Sequence, residues 1–497
     1  MIIEKYNVVS QNISNEVTIE KTNDFVLHYN LKTQEIGKGT IGLLNKVKTN
    51  LLAEIPLKHG EITDFQKWEE IKNNVYQKAI NEIKKELPTI DEKTCKFLAG
   101  TLIQEMFGLG KLEFLIEDPN LEEIAINGSK QPVWVYHKKY GWLKTNIFVP
   151  SEMDIQNYAN TIARRIGRQI TLLDPLLDAH LPTGDRVNST LFPISSFGNT
   201  LTIRKFRRSP WTITELIKNN TFNSEIASFI WLSIQYELNM IVAGGTGSGK
   251  TTLLNVFANF IPPNHRIVSI EDTRELNLSE FLHWVPLTTR EPNPEGLGGV
   301  EMLDLVINSL RMRPDRIIVG EIRRAREAEV LFEAMHTGHS VYATLHADTA
   351  DQAVKRLINP PINVPESVLD ALHLIAVAFR DRRTGKRRLF QVAEIIAGEK
   401  GVRINVFYKW KPAKDIIEKE GEIYRIFEEI RSFTGMSDEE IKDDLEEKEK
   451  IIKYFVKNDI TDLNKIGKII SIYYIDKNFV LKNLDKKIDE IIKKWES

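Results

Sequence analysis

One cysteine, Cys95, stands in 497 residues. No intrachain disulfide can form, and neither a four-cysteine nor a Cys/His zinc cluster is possible. Cys95 reads as a small packed residue of a reducing compartment. Long hydrophobic runs are also missing. No stretch reaches ~18 uninterrupted apolar residues, so no transmembrane helix is expected. The N-terminus, Met1-Ile2-Ile3-Glu4-Lys5-Tyr6, lacks a charged start followed by an apolar run, so no signal peptide is expected. The expectation is a cytoplasmic protein that meets a membrane only through a partner. Charge of one sign is lacking too: Lys and Arg total 67, Asp and Glu 69, for a net charge of -2. Dedicated nucleic-acid binders more often carry a basic excess, so no direct nucleic-acid partner is expected. Clear repeats and Gly/Ser-rich linkers are absent.

What is present can build cores. Apolar residues make up 42%, and the length suggests about three domains of roughly 150 residues. Residues 1 to about 60 mix short apolar runs with polar stretches and carry no functional signal. From Asp64 to Leu87, Phe65, Trp68, Ile71, Val75, Ala79 and Ile83 recur at helical spacing, with Pro88 as a stop. A second helix is expected from Glu92 to Phe107, ending at Gly108. Residues 109–208 read as mixed α/β: strands at Ile124–Ile126 and Val133–Tyr136 around Asn127-Gly128, a helix over Met153–Gly167, and strands near Val187–Phe192 and Leu201–Ile203. Ser209-Pro210 breaks the pattern. From about 212 to 412 short apolar strands alternate with helices, which implies a parallel sheet with crossover helices. After Pro412 the composition turns helical and charged, with Ser437 and Glu440 placed for a capping box.

The strongest chemical signal is Gly244-Gly245-Thr246-Gly247-Ser248-Gly249-Lys250-Thr251, a full phosphate-binding loop. The buried run Asn239–Ala243 precedes it, and Leu253, Val256, Phe257 and Phe260 follow on one helical face. Glycines let backbone amides turn inward around phosphates, and the helix N-terminus adds positive potential. Lys250 can reach the β/γ-phosphates and the Thr251 hydroxyl can bind Mg²⁺; Thr252 completes the loop. The next strand, Arg266–Ile270, ends in Glu271-Asp272. A carboxylate there either orients and deprotonates water or caps a helix. A third strand, Arg316–Gly320, ends in Glu321, in the pattern of a Mg²⁺-supporting acid. A fourth, Ser340–Thr344, ends at Leu345-His346. A histidine there can hydrogen-bond a γ-phosphate, although a single histidine is more often structural; His336 and His339 are not spaced as metal ligands. Arginines concentrate before the loop, at Arg164, Arg165, Arg168, Arg186, Arg204, Arg207 and Arg208. They form either a solvated basic face or a set containing arginine fingers. No N-K-x-D string reads guanine, so ATP is the expected nucleotide.

Together these motifs resemble the type II/IV secretion ATPase family, which includes secretion, type IV pilus and archaellum motors. The order is GGTGSGKTT (244–252), SIEDTREL (269–276), RMRPDRIIVGEIR (311–323) and GHSVYATLHADT (338–349). Upstream, GLGKLEFLIEDPNLEEIAING (108–128), LPTGDRVNSTLFP (181–193) and LTIRKF (201–206) resemble the family's second N-terminal domain. The likeness spans roughly residues 97–410 and is strongest to the archaeal branch. It implies an α/β protein divided as follows: an N-terminal region (1–96), a smaller mixed α/β domain (97–208), a RecA-like P-loop domain with a parallel sheet (209–412), and a helical appendage (413–497). It also implies a homo-hexameric ATPase using ATP and Mg²⁺ beside a polytopic membrane platform protein. Glu271 would activate water, Glu321 and Thr251 would support Mg²⁺, and His346 would be the His-box residue. Arg186 and Arg204 would lie near the interdomain nucleotide cleft. The four-cysteine zinc module of many bacterial members is missing, and the resemblance names no counterpart for residues 1–96 and 413–497. The rival readings are a conjugation-type DNA-transfer motor and a nucleotide-binding scaffold without turnover.

Overall fold

Period-two alternation builds the first half of the chain. In the computed structural model the described residues are 1–34, 36–54, 65–165, 168–180, 184–206, 210–290, 292, 296–398 and 401–496. They fall into two compact units, Met1–Arg208 and Ser209–Ser497. The first unit opens with β1 (Ile2–Ser10), β2 (Ile13–Glu20) and β3 (His28–Lys32). Ile13, Val17 and Ile19 of β2 point to one buried face, as a pleated strand requires. Gln11 and Asn12 join β1 to β2 with φ of 48° and 62°, the left-handed pair that a two-residue hairpin demands.

Helices α1 (Lys38–Glu54), α2 (Phe65–Glu86), α3 (Glu92–Phe107) and α4 (Leu112–Glu117) follow. The two helices expected from spacing are α2 and α3. Asp64 and the side chains of Phe65 and Trp68 lie outside the described residues, whereas Val75, Ala79 and Ile83 are buried. Asp91 caps α3 by accepting from the Thr94 amide at 2.9 Å. The unit closes with β4 (Leu121–Asn127), β5 (Pro132–His137), β6 (Gly141–Phe148), α5 (Glu152–Arg165), β7 (Leu176–His180), β8 (Arg186–Thr190) and β9 (Thr200–Arg204). All nine strands form one sheet in the order β1-β2-β3-β6-β5-β4-β9-β8-β7. Only β3 and β6 run parallel. The line drawn at residue 96 therefore falls inside a unit whose sheet draws on both sides of it.

Continuous apolar runs build the second unit. It contains α6 (Ile213–Lys218), α7 (Ser224–Gln235), β10 (Met240–Gly244), α8 (Lys250–Ala258), β11 (Ile267–Glu271), β12 (Trp284–Thr288), α9 (Met302–Ser309), β13 (Arg316–Val319), α10 (Ala325–His336), β14 (Ser340–Leu345) and α11 (Ala350–Ile358). Then come β15 (Leu374–Arg380), β16 (Arg387–Gly398), β17 (Gly401–Lys411) and β18 (Ile416–Lys419). The sheet order is β12-β11-β13-β14-β10-β15-β16-β17-β18. The strands from β12 to β15 run parallel, and β16 to β18 extend the sheet antiparallel. Every residue of β10, β11, β13 and β14 is buried, because apolar layers cover both faces.

The helical end consists of α12 (Arg425–Thr434), α13 (Asp438–Lys457), α14 (Leu463–Ile475), α15 (Lys477–Lys482) and α16 (Ile488–Glu496). The capping box at Ser437 and Glu440 forms as expected: Glu440 N donates to Ser437 Oγ at 3.2 Å and Ser437 N to Glu440 Oε2 at 2.8 Å. Pro412, however, sits in the turn between β17 and β18, and the helices start only at Arg425. They share one core with α7, β10 and α8. Buried Glu394 on β16 ties α12 down, accepting from Tyr424 N at 2.9 Å and Ile426 N at 3.1 Å. Trp231 of α7 is fully buried; it stacks on Phe260 at 5.2 Å and donates its indole N–H to Tyr474 Oη at 2.8 Å. Among the described residues no helix is long and apolar enough to cross a membrane. Because Trp231 joins α7 to the turn after α8 and to α14, Trp231→Ala should destabilise the second unit by about 3–5 kcal/mol, read as a lowered midpoint in a urea titration followed by circular dichroism.

Candidate functional site

In a parallel sheet covered on both faces, polar side chains are accommodated at the C-terminal strand ends, where the crevice opens. The phosphate loop leaves β10 at such an end. Gly247 and Gly249 have φ of +70° and +96°, a region that other residues enter only with strain, and Gly249 is the N-cap of α8. The loop is held from several sides. Ser248 Oγ donates to Gly245 O at 2.8 Å and Lys250 Nζ to the same carbonyl at 3.1 Å. Thr246 Oγ1 lies 3.0 Å from His346 Nε2, beyond the end of β14. The expected loop residues and His346 thus meet in one place.

Glu271 ends β11, two strands from β14 across β13. It is buried, and its Oε1 accepts from the amides of Glu275 at 2.9 Å and Leu276 at 3.1 Å. Its Oε2 is buried with no hydrogen-bond partner among the described residues. Burial pushes the carboxyl up to about 7, against the two amides that favour its anion. Glu321, past the end of β13, is held differently. Arg323 grips Glu321 Oε2 through Nη2 at 2.8 Å and Nε at 2.9 Å, and reaches Asp272 Oδ2 through Nη1 at 2.5 Å. Glu327 Oε2 accepts from the amides of Arg323 at 3.2 Å and Arg324 at 3.1 Å, fixing the turn after β13. Two carboxylates at neighbouring strand ends therefore differ in kind: one protonatable near neutrality, one held in an ion-pair network.

A model of the type II/IV secretion system protein family matches residues 152–377. The type IV secretion system protein PtlH of Bordetella pertussis is 33% identical over 50% of this chain and 80% of its own length. The chain belongs to the type II/IV secretion ATPase family. Over 80% of this chain and 73% of its own length, the uncharacterized protein MJ0900 of Methanocaldococcus jannaschii is 36% identical. The VirB11 ATPase of the Brucella suis type IV secretion system is 24% identical over 56% of this chain and 90% of that one, with a TM-score of 0.29. As a member of this ATPase family, the chain has a RecA-like P-loop unit, a mixed α/β unit before it and helices at its end.

The arginines expected from sequence lie in the first unit. Arg186 and Arg204 face each other in register on β8 and β9. Arg186 makes a two-pronged pair with Asp178, at 2.6 and 3.2 Å, and Arg168 Nη1 donates to Asp178 O at 3.3 Å. Arg204 and Arg164 are exposed. The side chain of Arg165, and Arg207 and Arg208, lie outside the described residues. Sequence reasoning missed other neighbours of the loop. Arg387 Nε donates to Gly247 O at 3.1 Å, and a Cβ at Gly247 would meet Arg380 Nη1 at 2.9 Å. Both come from the β15–β16 hairpin, where Arg380-Asp381-Arg382-Arg383-Thr384-Gly385-Lys386-Arg387-Arg388 offered a signal: a basic run around a turn. Arg323 was likewise inside a quoted motif without a role.

The raised Glu271 carboxyl has a stability consequence. Between about 4.5 and 7 the folded chain keeps a proton that the unfolded chain releases, so this group's contribution to stability falls as pH rises through that window. Glu271→Gln keeps an acceptor for the two amides and removes the titration. Urea unfolding should therefore show the stability of the Gln variant gaining on wild type by up to roughly 3 kcal/mol between acid and mildly alkaline pH. A pH-independent difference would mean an ordinary Glu271.

Proposed function

We propose that this chain is a Mg²⁺-dependent, ring-forming ATPase on the inner face of the cell membrane. It converts hydrolysis into domain motion that a polytopic platform protein uses to assemble or export pilin-like subunits. Glu271 carries this reading. A buried carboxylate with one oxygen fixed by two amides and the other left without a hydrogen-bond partner among the described residues has a lone pair available for a proton from water, and it stands on the strand-end edge that holds the phosphate loop. The amides of Gly244, Gly245, Thr246, Gly247, Ser248, Gly249 and Lys250 would cradle phosphates, with the Lys250 ammonium on the β/γ side and the Thr252 hydroxyl nearby. Thr251 and Glu321 offer the hard oxygen donors that Mg²⁺ prefers; the ion, when bound, would neutralise developing phosphate charge. Glu321 would exchange part of its pairing with Arg323 for that role. His346, hydrogen-bonded to Thr246 in the loop, would sense loss of the γ-phosphate. Arg186 and Arg204 would serve as guanidinium donors to the transferring phosphoryl group in the assembled ring.

Glu271→Gln should keep ATP binding, measured by nucleotide fluorescence, and lose about 10²–10⁴ in turnover. Near wild-type hydrolysis would remove Glu271 as the base. Assembly has its own test. Specific activity should rise with protein concentration, and mixing in Lys250→Ala subunits should inhibit more than dilution alone. A fully active protein that sediments as a monomer with ATP and Mg²⁺ at every concentration would exclude the ring.

A further inference from the structure

The family match ends at residue 377, and the helices after Arg425 have no part in the proposed chemistry. Their contacts lead back to it. The two amides on Glu271 Oε1 belong to Glu275 and Leu276, the start of a strap that runs to Leu282 before β12. Leu276 and Leu278 anchor the strap in the core. On one side it is tied to the phosphate-loop helix and the residue just past it: Asn277 N donates to Asn255 Oδ1 at 2.7 Å, and Ser279 N donates to Asn259 Oδ1 at 3.2 Å. On the other side it is tied to α14. Ser279 Oγ lies 3.2 Å from Leu463 O, and Glu280 N donates to Asn464 Oδ1 at 3.1 Å. Tyr474, at the far end of α14, donates to Phe260 O at 2.6 Å, two residues past the end of α8.

Gly467 marks how close the fit is. It lies in the middle of α14, where glycine costs about 1 kcal/mol relative to alanine. A Cβ there would stand 2.2 Å from Ser279 Oγ, 3.0 Å from Ser279 Cβ and 3.1 Å from Phe281 Cζ. Real Cβ atoms do not stand that close to a neighbour in a packed interior, so a side chain at 467 turns the Ser279 hydroxyl out of its place between Leu463 O and Asn259 Oδ1 and presses on Ser279 Cβ and Phe281.

We propose that α14 is a positioning element for Glu271: it presses the 275–282 strap against the phosphate-loop helix, and the strap's first two amides set the direction of the Glu271 carboxylate. The inference rests on Glu271 being the group that activates water. Asn464, Gly467 and Ser279 are positioning residues that act through the strap and touch no nucleotide. Movement of α14 reaches the carboxylate through Ser279 and Glu280, and reaches the end of the phosphate-loop helix through Tyr474.

Steady-state ATPase kinetics on the full chain test this. Gly467→Ala should lower kcat by about 10–100-fold, the penalty of a misplaced catalytic group, with KM for ATP little changed. The acid limb of kcat against pH should move, because the amides that favour the anion are displaced. Ser279→Gly added to Gly467→Ala removes the Ser279 side chain from the space; it should restore much of kcat and return the acid limb to its wild-type position, a shift that loss of folded protein alone does not produce. Asn464→Ala inserts nothing and removes one strap hydrogen bond; it should lower kcat by about 2–10-fold. A folded Gly467→Ala with wild-type kcat and pH profile overturns the proposal. If Gly467→Ala does not fold, wild-type kcat in Asn464→Ala overturns it. Near wild-type turnover in Glu271→Gln would instead remove the parent reading, and this one with it, whatever the α14 variants do.

Discussion

Burial of the parallel strands on both faces is the constraint on which the second unit depends. β10, β11, β13 and β14 expose no residue along their lengths, so an uncompensated charge within them would be costly. Arg316 shows what compensation takes. It is fully buried at the N-terminal end of β13; its Nε donates to His265 Nδ1 at 3.0 Å, its Nη1 to Ser340 Oγ and Tyr342 Oη at 2.8 Å each, and Glu237 Oε1 stands 3.8 Å from Nη2, which makes no hydrogen bond among the described residues. At the opposite ends the strands bring their polar groups together: the loop after β10, Glu271 at the last position of β11, Glu321 after β13, His346 after β14. The gathering of chemistry on one edge follows from the same apolar packing that holds the sheet.

Within that edge the two acids are made unlike by their neighbours. Glu321 has a guanidinium at 2.8 Å, so its position is set by a charge-assisted pair. Among the described residues no cation is hydrogen-bonded to Glu271; two backbone amides hold it instead, and burial opposes them. An amide pair fixes direction without a counter-charge, so the proton affinity stays near neutrality. The amides belong to a strap whose position is set by side chains of α8, of Asn259 just past it and of α14, so those distant ties bear on the direction of the carboxylate.

The legible parts of this chain were those set by local pattern. The strand before the loop, the loop, and the acids after β11 and β13 follow from runs of a few residues, and α3, the α2 periodicity and the Ser437 capping box do as well. What was not legible depends on pairing between distant segments. β1 to β3 are amphipathic strands of ordinary composition, and nothing in residues 1–32 says that β3 will pair parallel with β6. Pro412 reads as a boundary, yet it is the turn of a hairpin whose second strand still belongs to the sheet. Arg380 and Arg387 lie well over a hundred residues from the loop they approach. Only the register of β15 on β10 and of β16 on β15 brings them there.

The helical end shows the same limit in a stronger form. Its sequence is charged and rich in isoleucine, which reads as an independent bundle with solvated faces. Isoleucines at helical spacing specify that a face will be buried but not against what. Here the partner is the ATPase core, and the deciding residues are inconspicuous ones. Gly467 is a small residue in a helix, Ser279 a polar residue in a loop, and Lys448 one lysine among many. Lys448 is fully buried over the rings of Trp231 and Tyr473, paired with Asp444, and burial pulls its ammonium below its ordinary value. Both members lie on α13 one turn apart, so the pair keeps either charge from standing alone in that interior, where it would be expensive. The contacts that leave α13 are those of the ammonium with the Trp231 ring of α7 and of Asp444 Oδ1, which accepts from Tyr473 Oη of α14 at 2.8 Å. A lysine that looks like surface in the sequence is thus part of the seam where α7, α13 and α14 meet.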